Sequence, residues 1–111
     1  MLKEILENVN EKLTSLKDIE KAINNFKDVK KATVGLIDNV GRSNELSILI
    51  TPDHAKKPMI KFTIDEDGKT DLKFESDGWD DGSYALPITF SISQQLDNFM
   101  KSFDPSIIKD L

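Results

Sequence analysis

KATVGLIDNVGRSNELSILIT, residues 31–51, is the stretch whose reading decides the fold. Ala32, Val34 and Leu36 alternate with Thr33, Gly35 and Ile37. After the polar NVGRSN, Leu46, Ile48 and Ile50 alternate with Ser47, Leu49 and Thr51. Successive side chains of a strand point to opposite faces, so a period of two marks two strands. The short polar turn between them makes the pair antiparallel. Pro52 has no N–H for a ladder and ends the second strand.

The same pattern continues toward the C-terminus. MIKFTID (59–65) sets Ile60, Phe62 and Ile64 on one face and Lys61 and Thr63 on the other. DEDGK is a tight-turn signal in which Gly68 can take positive φ. TDLKFES (70–76) returns with Leu72 and Phe74 on the inward face. The result is an antiparallel meander of four strands, with one face buried and the other largely polar.

The period differs at both ends of the chain. Leu2, Ile5, Leu6, Val9, Leu13, Leu16, Ile19, Ile23 and Phe26 recur in steps of mostly three or four, the stripe of an amphipathic helix. The spacing favours one long helix over two, and Ser15 with Asp18, an imperfect capping box, marks where it would divide. Downstream, Tyr84, Leu86, Ile88 and Phe90 alternate as a fifth strand would. Pro87 would confine such a strand to an edge, or else open a helix. From Ile92 the helical spacing returns through Leu96, Phe99, Met100 and Phe103, with Ser91 and Gln94 resembling a capping box at its start. Asp104–Pro105 ends that helix and can cap a last short turn.

These elements predict a single α+β domain over residues 1–111. An N-terminal amphipathic helix, a meander of four strands (five if 84–90 joins it) and a C-terminal helix follow one another, with both helices packed on one face of the sheet. A chain of 111 residues with 38% apolar residues is long enough for one core. Cysteine is absent, which excludes disulfides, thiol catalysis and thiolate metal sites and fits a cytoplasmic protein. MLKEILENVNEKL does not read as a signal peptide, and no apolar run approaches the roughly 20 residues of a membrane span.

The net charge of −5 is uneven. Residues 65–81 hold eight acidic side chains against Lys69 and Lys73, a balance of −6, so the rest of the chain sums to +1. A nucleic-acid binder has the opposite footprint. Lys56, Lys57 and Lys61 form a small basic group without interleaved aromatics, which reads as a solvated turn guarding a strand edge.

Functional signals concentrate in FESDGWDDGSYALP (74–87), which holds the only Trp and the only Tyr. Neither acidic stretch completes a calcium loop. With Gly68 at the sixth position the acids needed at 63 and 74 are Thr63 and Phe74, and with Gly82 there the third and twelfth positions are Trp79 and Ile88. His54, the only histidine, has Asp53 beside it, and adjacent residues point apart, so it reads as a solvated loop residue. A carboxylate pair such as Asp77 and Asp81 could serve acid–base hydrolysis only in a cleft.

Trp79 between acidic residues either folds back over the sheet edge or serves as a docking anchor. The sequence therefore points to a non-catalytic protein-binding protein without metal or cofactor, of the inhibitor, immunity-type or accessory-chaperone class. Its partner would be another protein with a basic surface, met through Asp77, Trp79, Asp80, Asp81 and Tyr84. The chain itself would be a monomer or homodimer, with no membrane or direct nucleic-acid contact. Two alternatives are an acidic mimic of nucleic acid that inhibits a DNA- or RNA-binding protein, and a small hydrolase using loop carboxylates.

Overall fold

The computed structural model describes residues 15–111. Helix α1 (Leu16–Asn24) leads into strands β1 (Val29–Ile37), β2 (Glu45–Pro52), β3 (Ile60–Asp65) and β4 (Thr70–Phe74). A 3-10 turn (Gly82–Tyr84), helix α2 (Ala85–Ser102) and a second 3-10 turn (Pro105–Asp110) complete the chain. The strands form one antiparallel sheet in the order β1-β2-β3-β4. This is the α+β arrangement expected from the alternation. Among the described residues no helix is long and apolar enough to cross a membrane.

The register places the apolar residues as the period of two requires. Ala32 stands opposite Ile50 and Ile50 opposite Ile60, while Val34, Ile48, Phe62 and Leu72 form the next row. These residues share the face on which both helices lie. Ile19 and Ile23 of α1 and Ile88, Ile92, Leu96 and Phe99 of α2 are buried with them in one core. At the fully buried positions this burial contributes about 1.5–3 kcal/mol per side chain. The other face carries Thr33, Ser47, Leu49, Lys61, Thr63, Asp71 and Lys73 and faces solvent.

Ser15 ends the long-helix expectation. Its backbone is extended, and its Oγ accepts a hydrogen bond from the Asp18 N–H at 3.1 Å, so it caps a helix that starts at Leu16. The capping signal therefore outweighs the continuous stripe. Leu2, Ile5, Leu6, Val9 and Leu13 lie outside the described residues.

The 84–90 ambiguity resolves as helix. Pro87 falls in the first turn of α2, where its missing N–H would have no intrahelical partner in any case. Ser91 and Gln94 do not form the start of that helix, which begins six residues before Ser91. Gln95, one residue on, has the structural role: its Oε1 accepts from the Lys27 N–H at 2.7 Å and its Nε2 donates to the Lys27 carbonyl at 2.8 Å. Together with the edge-to-face pair Phe26–Phe99 (6.3 Å), this ties α2 toward the α1 side of the sheet. Asp104 caps the last turn as expected, its carboxylate accepting from the Ser106 N–H at 3.1 Å.

The helix α1 also finishes one margin of the sheet. Asn24 Oδ1 accepts from the Ala32 N–H at 2.8 Å, and Asn24 Nδ2 donates to the Ala32 carbonyl at 3.0 Å. Glu20 Oε1 accepts from the Val34 N–H at 2.9 Å. Two helix side chains thus take the place of a fifth strand along β1.

Candidate functional site

The segment 75–81 leaves β4 and runs back beside residues 54–56. Trp79 forms an isolated antiparallel bridge with Ala55, the Lys56 N–H donates to the Gly78 carbonyl at 2.9 Å, and the Asp80 N–H donates to the His54 carbonyl at 2.8 Å. Gly78 has φ +127, and a Cβ there would stand 3.0 Å from Met59 Sδ and 2.8 Å from Lys57 Cε. Because Met59 is buried, that position requires glycine. Gly78 thus fixes the loop by allowing a close approach.

Each residue singled out in the sequence has a distinct place. Asp77, Asp80 and Asp81 are exposed. Trp79 is half-buried and packs on the core, so much of it folds back over the sheet end. Asp81 caps the 3-10 turn, accepting from the Ser83 N–H at 2.9 Å. That backbone hydrogen bond, helped by the Ser83 side chain and weakly by the charge of His54, holds the Asp81 carboxyl below its ordinary range. Asp80 lies 3.9 Å from Lys56 Nζ, an exposed pair of small energetic value. Tyr84 stacks on the ring of His54, with centroids 3.8 Å apart and planes 5° off parallel.

His54 is exposed, as expected, but it is a stacking partner rather than a free loop residue, and its φ of +66 belongs to the left-handed region. Asp65 uses its carboxylate within its own turn, accepting from the N–H groups of Asp67 and Lys69 at 2.9 Å each. Among the described residues no three His, Cys, Asp or Glu side chains converge on a common point.

The sequence reading missed an apolar groove. Phe74, Trp79, Ala85, Leu86 and Thr89 line an open depression of about 380 Å³, with Glu75 on its rim. Leu86 is 82% exposed and Phe74 53% exposed. Leu86 projects because Ile88 and Ile92 take the buried stripe of α2. Phe74 points to the helix-bearing face beside Ala85, Leu86 and Thr89 of α2, which leave about half of it exposed. The signal was present in the excess of apolar residues over one helical stripe in SYALPITF, where alternation was read in its place. Tyr84 lies outside this groove. The chain matches no known family model, no curated protein and no solved structure.

Proposed function

We propose that the protein is a small non-catalytic binding protein that docks another protein through the end of the sheet formed by residues 74–86. The observation that carries this reading is the apolar groove with a fixed acidic border. Phe74, Trp79 and Leu86 offer apolar surface, Glu75 stands on its rim, and the exposed Asp77, Asp80 and Asp81 follow along the loop that carries Trp79. A segment with an aliphatic or aromatic anchor flanked by Lys or Arg is complementary to both. Covering Leu86 and Phe74 would contribute about 3 kcal/mol. A micromolar complex needs roughly 8 kcal/mol. The acidic border must therefore take part, which limits the partner to a basic one. The Lys56–Asp80 pair interrupts the negative charge, and that favours protein docking over imitation of a phosphate backbone.

The test is selection of peptides from a random displayed library on the immobilised chain. Enriched sequences should combine an apolar anchor with Lys or Arg. Their binding should fall at least about tenfold with Leu86→Asp, and their association should slow with Asp80→Asn and Asp81→Asn together, with only a small fall in melting temperature from the weakened Asp81 cap. Trp79→Ala should weaken binding and also lower stability, because the ring is both groove wall and core neighbour. Enrichment of sequences without basic residues, or binding indifferent to Leu86→Asp, would overturn the reading.

A further inference from the structure

The margin of the sheet at β4 carries a charge pattern that matches itself. The ladder to β3 continues beyond the strand: the Glu75 N–H donates to the Met59 carbonyl at 2.8 Å, and the Asp65 N–H donates to the Lys69 carbonyl at 3.0 Å. Residues bonded across an antiparallel pair alternate along the strand. Lys69, Asp71, Lys73 and Glu75 therefore bond inward to β3, while Thr70, Leu72 and Phe74 turn their N–H and C=O groups to the free edge. Among the described residues no strand pairs with that edge.

The inward-bonded residues place their side chains on the open face, in the order Lys69, Asp71, Lys73, Glu75. Their signs alternate, and the pattern is opposite in sign about Leu72. A second copy laid antiparallel with Leu72 opposite its own counterpart puts Asp71 opposite Lys73 and Lys69 opposite Glu75, each twice. All four pairs are attractive. A slip of two residues in either direction sets Lys73 against Lys73 or Asp71 against Asp71. A slip of four leaves only two attractive pairs in a shorter overlap, so the charges favour the register centred on Leu72 over the others that keep the faces aligned.

The hydrogen-bond phase agrees with that register. Leu72 opposite Leu72 would be a bonded pair, since its amide groups face outward. Asp71 opposite Lys73 then falls at a non-bonded pair, where cross-strand side chains stand closest. Phe74 would lie opposite Thr70 of the second copy. We propose that β4 is a self-association edge through which two copies join their sheets antiparallel about Leu72. The net charge of −5 on each copy opposes the approach. At physiological salt, charges beyond about 8 Å are screened, while the four matched pairs act at contact. Past Lys69 the chain leaves the strand at the Gly68 turn, so the matched run ends there. This inference does not rest on the docking reading, although the seam shares Phe74 and Glu75 with the groove.

Sedimentation of the full chain over a concentration series at physiological ionic strength tests it. The wild type should show a concentration-dependent dimer. Asp71→Lys and Lys73→Asp should each weaken that dimer about tenfold or more, because each variant turns two attractive cross-strand pairs into repulsive ones. An equimolar mixture of the two variants, and the double variant Asp71→Lys with Lys73→Asp, should restore it. Both side chains are well exposed (Asp71 64%, Lys73 72%), so thermal melts should show each variant folded. A wild type that stays monomeric, a dimer indifferent to both single variants, or a mixture that fails to restore association would each overturn the proposal.

Discussion

The two margins of the sheet are finished in opposite ways. Along β1, Asn24 and Glu20 reach down from α1 and satisfy both outward groups of Ala32 and the N–H of Val34. Along β4, the outward groups of Thr70, Leu72 and Phe74 have no such side-chain cover among the described residues, although α2 runs beside this strand on the helix-bearing face. An uncovered edge is a template for pairing with another chain. A sealed margin excludes every partner equally. An open margin written in alternating charge excludes most partners and admits one arrangement. With the proposed self-association, the asymmetry would put structure on one side of the molecule and recognition on the other.

The largest expected effect attacks the aromatic seam that joins α2 to the α1 side of the sheet. Phe99 packs edge-to-face on Phe26 and stacks on Phe103 at 5.3 Å. Phe99→Ala should cost about 3–5 kcal/mol in urea unfolding. A cost below about 1 kcal/mol, as for a surface position, would mean that some other contact holds α2 to the β1 side.

A middle-sized effect concerns the seal itself. Asn24→Ala removes three hydrogen bonds, to Glu20 and to both backbone groups of Ala32. Ala32 is buried, so its N–H and C=O are left poorly satisfied, and a loss of about 1–3 kcal/mol follows. Amide exchange at Ala32 and Val34 should speed up. If exchange there stays unchanged while the protein is merely less stable overall, the side chain caps the helix end and does not guard the edge.

The smallest effect lies beyond β4, in the fixed loop. The Ser83 hydrogen bonds depress the Asp81 carboxyl, so the folded value lies below the unfolded one. The stabilisation it gives is present above the unfolded pKa of about 3.9 and is lost as pH falls through the lower folded value. Asp81→Ala should therefore lower the melting temperature slightly at neutral pH and not at all in strong acid. A difference that persists in acid would point to packing in place of the cap.

Much of the fold was legible because strands and helices announce themselves by period. Ala32 through Leu36, and Leu46 through Ile50, meant the same thing in the chain and in the sheet. The alternation from Tyr84 to Phe90 misled because four apolar residues at every second position can also wind around a helix start. There Ile88 faces the core, while Leu86 and Phe90 face solvent. The acidic character of residues 75–81 could be read from composition. The groove, the His54–Tyr84 stack and the Asn24 seal could not, since each joins segments whose proximity is set by topology alone.

The Asn24 seal has a consequence in time. Asn24 is eight residues from Ala32, and Glu20 is 14 from Val34. Loops that short close at little entropic cost, so the α1–β1 unit can assemble from local contacts. Chains are made from the N-terminus, and domains begin to fold as they emerge. The margin at β1 is thus guarded by residues synthesised before the strand they guard. A half-made chain carrying β1 and β2 already has one edge closed while its C-terminal helix is still untranslated, and the edge at β4 comes into being last, next to the helix that follows it.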